Sequence, residues 1–208
     1  LKIGNHTFVN DKEIAKNVNQ ILHSDYHGEV QPRHFLEILV NDLGLDKIRS
    51  LATKKLTGLK VASYYGCLLT RPVKIMQFDD AENPQMLDTL ITALGADAVD
   101  WPYKTECCGA SFSLTKTDIV LKLGNDILQI AQENGANCLA VACPLCQSNL
   151  DLRQPAINKK YGTKLNLPVL YFTQLLGLAL GIPAAKLGFE KHFINPLPLL
   201  RQAGIVGS

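Results

Sequence analysis

The sequence predicts an α/β protein: a small parallel sheet with flanking helices, preceded by a helical N-terminal segment. Three observations carry this. From Leu59 onward, short apolar runs alternate with longer runs of helical period, the order expected of strands joined by crossover helices. One short run, CLAVAC (138–143), is apolar throughout, as a strand covered on both faces must be. Ahead of Leu59 the apolar spacing is helical.

In chain order, Ile14, Val18, Ile21 and Leu22 share one helical face, with Asn10 or Asp11 as N-cap. Pro32 is expected to open a second helix at its first turn. Phe35, Leu36, Leu39, Val40 and Leu43 would line its apolar face, and Gly44 would close it. A third short helix is expected over about 46–55. Residues 1–57 thus form a helical lead-in or linker that carries no recognisable chemistry.

Residues 58–208 have a different texture. LKVASYY (59–65), bounded by Gly58 and Gly66, is a strand. RPVKIMQFDDAENP is expected to be loop. Met86, Leu87, Leu90, Ile91 and Leu94 make a helix ended by Gly95, and ADAVDW (96–101) is a short strand. Val120, Leu123, Ile127, Leu128 and Ala131 define a helix over about 117–134, stopped by Gly135. After CLAVAC a helix starts near Pro144, followed by strand PVLYF and a last helix near Leu175.

The chain has 208 residues, 47% apolar, with a net charge of +2, so it supports a packed core and carries no basic stripe of the kind nucleic acid requires. Lys54-Lys55 and Lys159-Lys160 are short enough to be solvated surface. The start, LKIGNHTFVN, lacks the apolar core of a signal peptide and has no initiating Met, so a processed or trimmed piece of something longer is expected. The best membrane candidate, 165–185, is interrupted by Pro168, Gln174, Gly177, Gly181 and Pro183, which favour a short strand and helix over a span. No transmembrane segment is expected, and the location is read as cytoplasmic.

Six cysteines in such a chain point to metal or redox chemistry rather than a disulfide framework. Cys67 follows the first strand, Cys107 and Cys108 follow the second, and Cys143 and Cys146 follow the third. Parallel strands end on one edge, where sites in open α/β sheets form. Topology alone therefore carries five thiols to one rim. Pro144 starts a helix between Cys143 and Cys146, whose free N–H groups and dipole lower thiol pKa values. Gly66 and Gly109 let backbone approach whatever the sulfurs hold.

Adjacent Cys107 and Cys108 would point to opposite sides of an extended chain. Such a pair suits a multi-atom cluster better than one ion. Five ligands is also one more than tetrahedral zinc uses. Both points favour an iron–sulfur cluster. A structural zinc site using four of the five sulfurs is the competing reading. A thioredoxin-like dithiol at Cys143 and Cys146 leaves three thiols unexplained. Cys138 is expected in the core.

Arg71 is a further candidate, either beside the cluster to offset thiolate charge or hold an anion, or in a surface ion pair with Asp79 or Asp80. Lys104 and Glu106 flank the cysteine pair and are candidates for the same reason. His6, His23, His27, His34 and His192 have no metal-ligand spacing, and no nucleophile elbow, Walker A loop or G-x-G-x-x-G appears.

The pattern C-x39-C-C-G-x33-C-x-x-C, with the words YYGCLLTRP, ECCGA, CPLCQSNLD and PVLYFTQLLGLALG, closely resembles the cysteine-rich CCG domain of the B-type subunit of heterodisulfide reductase. The likeness covers the chain from about Leu59, and the lead-in resembles the segment joining the two halves of that protein. The resemblance implies that residues 58–208 are one CCG domain, like the C-terminal half. It implies that Cys67, Cys107, Cys108, Cys143 and Cys146 hold a non-cubane [4Fe-4S] cluster. It also implies three partners: a second CCG half-domain, a ferredoxin-like electron donor of the reductase's C type, and a disulfide or thiol substrate. Peripheral association with the membrane through a complex is compatible with it.

Two features depart from that family pattern. Only one CCG motif is present, and Leu68 stands where members from methanogens carry a histidine able to protonate a leaving thiolate. A different disulfide, a sulfur-carrier thiol or a purely electron-transfer role is then favoured. Similar domains occur in succinate-, lactate- and glycolate-oxidising complexes, and some CCG sites resemble zinc sites.

Overall fold

Four short apolar runs pair as a parallel sheet: β1 (Lys60–Tyr64), β2 (Asp97–Val99), β3 (Cys138–Val141) and β4 (Val169–Tyr171), in the order β2-β1-β3-β4. The computed structural model describes residues 1–207. Val61 stands opposite Cys138, Lys60 opposite Asp97, and Leu139 opposite Val169. After β1 the chain moves to one side of it for β2, then crosses to the other side for β3. The strand order therefore reverses between β1 and β3, and the crevice beyond their carboxyl ends is a topological switch point.

The helices are α1 (Lys2–Asn10), α2 (Lys12–Leu22), α3 (Phe35–Glu37), α4 (Leu45–Leu51), α5 (Cys67–Thr70), α6 (Val73–Met76), α7 (Met86–Ala93), α8 (Thr117–Glu133), α9 (Pro144–Leu152), α10 (Gln154–Tyr161), α11 (Phe172–Ala179) and α12 (Leu197–Gln202). Side chains of a strand alternate between faces. Val61, Cys138, Ala140 and Leu170 meet Leu87, Leu90 and Ile91 of α7 and Leu175 and Leu178 of α11. Ala62, Tyr64, Leu139, Val141 and Val169 meet Ile127, Leu128 and Ala131 of α8, Leu150 of α9 and Ile157 of α10. Helices thus cover both faces. Cys138 is fully buried, as expected of a core thiol.

The lead-in differs from expectation in three places. Asp11 caps α2, its Oδ1 accepting the Glu13 and Ile14 amides at 3.0 Å, yet α2 buries no residue, and Ile14, Ile21 and Leu22 stay exposed. The next helix starts at Phe35, not Pro32, because His34 supplies the cap: its Nδ1 accepts the Leu36 N–H at 3.2 Å. It runs on into a π-helical stretch, Ile38–Leu43, which buries Leu39 and leaves Leu43 exposed before Gly44 ends it. Leu36, Leu39, Ile48 and Leu56 then join the core of α7 and α11.

Within the sheet region, the stretch expected to be loop contains α6. Helices α10 and α12 carry no clear apolar period in sequence: α10 buries only Gln154 and Ile157, and α12 only Leu200. The membrane candidate divides into β4 and α11, and among the described residues no helix is long and apolar enough to cross a membrane.

Candidate metal centre

The five thiols predicted to share a rim lie around the crevice between β1 and β3. Cys67 begins α5, just past the end of β1, and Cys143 is the N-cap of α9, just past the end of β3. Gly66 makes the turn between β1 and Cys67 with φ +70° and ψ 176°. A Cβ there would lie 3.0 Å from Cys146 Sγ, so the missing side chain is what lets the sulfur in.

Cys107 and Cys108 arrive on a loop pinned to the end of β1. The Trp101 indole N–H donates to the Ser63 carbonyl at 3.0 Å, and the Tyr65 and Gly66 amides donate to the Lys104 carbonyl at 2.8 and 3.3 Å. The Tyr64 hydroxyl donates to the Glu106 carbonyl at 2.6 Å. From α9, Asn149 Nδ2 donates to the Cys108 carbonyl at 2.6 Å. Gly109 adopts φ +73°, and its N–H donates to Cys107 Sγ at 3.3 Å. A Cβ on Gly109 would meet Leu123 Cδ1 at 3.0 Å and Val120 Cα at 3.4 Å. This glycine therefore makes room for α8.

All six cysteines are free thiols, and Cys108 and Cys146 have their sulfurs 3.6 Å apart, in contact but unbonded. Cys107 is exposed, Cys67 and Cys143 are partly exposed, and Cys108 and Cys146 are buried. Sharing a proton with the Cys146 side chain lowers both Cys108 and Cys143. Backbone N–H groups of Leu145 and Cys146 add to this at Cys143, whose thiol is lowered to about 6. Cys146 itself is raised by the same sharing and by burial, so the expected lowering holds for one member of the C-x-x-C pair only. Burial, then the neighbouring Cys107, pushes Cys67 up to about 11. The phenol of Tyr64 is raised by burial and by the thiolates of Cys108, Cys146, Cys107 and Cys67, and Tyr171 by burial and by Cys143 and Cys146.

Cys67 is influenced most by Cys107 among the thiols, and Cys146 acts on both Cys108 and Cys143. Among the described residues no three Cys, His, Asp or Glu side chains are gathered to hold a single ion. Arg71 turns away to Glu82 at 3.1 Å. The aspartates expected to pair with it are engaged by backbone: Asp79 accepts the Gln85 and Met86 amides, and Asp80 the Glu82 and Asn83 amides. Glu106 is exposed; Lys104 is buried. Tyr64, Tyr171 and Asn149 were not anticipated. Asn149 has a sequence signal, since it stands one helical turn beyond Cys146.

Two apolar side chains beside the rim cysteines face outward: Leu68, next to Cys67, is 65% exposed, and Leu145, inside the C-x-x-C, is 64% exposed.

Comparison with known proteins gives a consistent result. The family described as "CCG: Cysteine-rich domain" matches residues 61–151, which include all five rim cysteines. The chain is 37% identical over 196 residues to the B-type subunit of the ferredoxin/F(420)H(2)-dependent CoB-CoM heterodisulfide reductase of Methanosarcina acetivorans, covering 92% of this chain and 65% of that one. It is 33% identical to the 8-methylmenaquinol:fumarate reductase membrane anchor subunit of Wolinella succinogenes, covering 91% of this chain and 67% of the relative. The chain thus spans about two thirds of the length of these relatives. In fold it is similar to the crystal structure of a hypothetical protein from Helicobacter pylori, with a TM-score of 0.72 at 15% identity, over 92% of this chain and 35% of that one.

Proposed function

We propose, from the premise that this chain belongs to the family of heterodisulfide reductase B-type subunits, that it is an iron–sulfur redox protein whose cysteines hold one non-cubane [4Fe-4S] cluster. Cys67, Cys107, Cys108, Cys143 and Cys146 are the ligands in this reading. The observation that carries it is the convergence of five free thiols on one switch-point rim. The donor set fits: Cys108 and Cys143 are disposed to ionise, and Gly66 leaves space against Cys146 Sγ. Five thiols are one more than a tetrahedral ion takes, which suits a multi-atom group better.

When bound, the cluster supplies one-electron transfer beside a sulfur centre. The chain's own residues fix the thiols and exclude water from Cys108 and Cys146. Leu68 offers no acid at the rim, so a proton for a departing thiolate comes from elsewhere. The exposed Leu68 and Leu145 beside the rim cysteines support a covering partner, a second CCG half-domain. A ferredoxin-like partner of the reductase's C type delivers electrons, and a disulfide or thiol is the substrate. The chain works in the cytoplasm, held peripherally at the membrane through its complex.

Leu68 also favours a second reading, electron transfer within a complex acting on succinate, lactate or glycolate, in line with the fumarate reductase relative. Anaerobic purification with metal analysis and visible absorption tests the cluster. About four irons per chain with broad thiolate-to-iron absorption is expected. One zinc and a colourless sample would favour a zinc-stabilised interaction domain instead. Iron retained in both Cys107→Ser and Cys108→Ser would overturn the ligand assignment.

A further inference from the structure

Behind the rim lies a closed ring of bonds that the cluster reading leaves unused. Lys104 is 3% exposed and Asp88, on α7, is 7% exposed, and the Lys104 ammonium meets Asp88 Oδ1 at 3.1 Å. The other carboxylate oxygen accepts the Tyr65 hydroxyl at 2.8 Å, and that hydroxyl accepts the Leu87 amide at 2.7 Å. The ring closes through the backbone, because the Tyr65 and Gly66 amides donate to the carbonyl of Lys104. Tyr65 and Lys104 are thus joined twice, once through main chain and once through Asp88.

A buried ion pair is a poor source of net stability but a good source of registration, since its partners must meet in one geometry. Here the registered points are Tyr65, two residues before Cys67, and Lys104, three before Cys107. Those two thiols follow directly on the two segments that the Tyr65–Lys104 backbone bond joins. We propose that Tyr65, Asp88 and Lys104 are positioning residues that set the separation of the Cys67 and Cys107 thiols. The functional weight of this clamp rests on the ligand reading above; its geometry does not.

The test uses the reduced, metal-free chain and the oxidant diamide. Two thiols form one S–S bond, and their two hydrogens pass to diamide, which becomes the hydrazine. Peptide mapping reads closure of Cys67 to Cys107, alkylation of Cys143, and alkylation of Cys138. The last is fully buried and reports global opening. Two variants are compared with the parent. Tyr65→Phe removes one strut, and Asp88→Asn with Lys104→Met replaces the ion pair by a neutral pair of similar shape.

The parent is expected to close Cys67 to Cys107 alongside the closure of Cys108 to Cys146, whose sulfurs already lie 3.6 Å apart. Both variants should slow the Cys67–Cys107 closure about tenfold, the worth of one such hydrogen bond, with Cys138 protected and Cys143 unchanged. Unchanged closure in both variants overturns the proposal. So does slowed closure accompanied by faster alkylation of both Cys143 and Cys138, which is the signature of general destabilisation. A parent that fails to close this pair also overturns it. Zinc in place of iron in the parent would sink the cluster reading while leaving the clamp test intact.

Discussion

Asn149 reaches from α9 across the rim to hold the backbone of Cys108, its Nδ2 donating to the carbonyl at 2.6 Å. Cys146, one turn earlier on the same helix, lies with its sulfur 3.6 Å from that of Cys108. One helix therefore supplies a thiol and also fixes the thiol it touches. The Asn149 carboxamide oxygen in turn accepts the Ser113 hydroxyl at 3.3 Å, so the side chain is held at both ends.

Removing this tie should loosen one part of the rim. Asn149→Ala leaves the Cys108 carbonyl, on a residue only 3% exposed, without its donor. A buried carbonyl left unpaired costs about 1–3 kcal/mol. Urea denaturation should show that loss as a lower midpoint with unchanged slope, and anaerobic metal loading should fall. Asn149→Asp should be worse, because a carboxylate then faces a carbonyl. Full stability and full loading in Asn149→Ala would show that the loop holds itself.

Gly66 is the position where the smallest change should do the most harm. Its φ of +70° with ψ near 176° belongs to a region that is essentially glycine-only, and an added methyl would stand 3.0 Å from Cys146 Sγ. Gly66→Ala should cost on the order of 1–3 kcal/mol from backbone strain alone and block loading as well. Gly4 in α1 is the counter-case, since nothing lies within 4 Å of a Cβ there. Gly4→Ala should raise stability by roughly 0.5–1 kcal/mol, because it only removes a flexible residue from a helix. Paired thermal melts of the two variants check both signs.

How much of this was legible beforehand depends on whether the cause is local. The gathering of Cys67, Cys107/Cys108 and Cys143/Cys146 follows from parallel strands sharing one carboxyl edge, so spacing along the chain was enough. The Tyr64 bond to the Glu106 carbonyl and the Tyr65–Asp88–Lys104 ring were not readable, because they join residues that only the folded chain brings together. Arg71 shows the same limit. Asp79 and Asp80 are near in sequence, but backbone amides of the following turn claim both, which leaves Glu82 as partner. In α2 the apolar period predicts a helix correctly but says nothing of what covers its face.

Thiol reactivity should follow pH differently at each site of the metal-free chain. A lowered pKa means the thiolate is present above it and is lost as pH falls through it. Cys143, lowered to about 6, should be about nine-tenths thiolate at pH 7, so its iodoacetamide rate should level off by about pH 7. Cys67, raised to about 11, should still be gaining rate through about pH 9. Cys138, pushed up to about 12 by burial, should react only on unfolding. Mass mapping of labelled peptides across pH reads all three, and parallel profiles at Cys143 and Cys67 would contradict the inequality drawn from their surroundings.

The lead-in should behave as two parts when shortened. Leu36, Leu39, Ile48 and Leu56 lie in one core with Val61, Leu90 and Leu175. Burying four such side chains is worth roughly 6–12 kcal/mol, at about 1.5–3 each. That is comparable to the whole stability of an ordinary domain, about 5–15 kcal/mol. A chain beginning at Gly58 should therefore lose cooperative melting and bind a hydrophobic dye. The helices α1 and α2 are different: only Phe8 is buried in them, and their ties to the rest include the Lys2 ammonium on the Met76 carbonyl at 2.8 Å. A chain beginning at Gln31 should keep a sharp transition with a modestly lower midpoint. Residues 58–207 melting as sharply as the full chain would mean that the packing of Leu36 and Ile48 adds little. The whole stretch ahead of Gly58 would then be a separable arm.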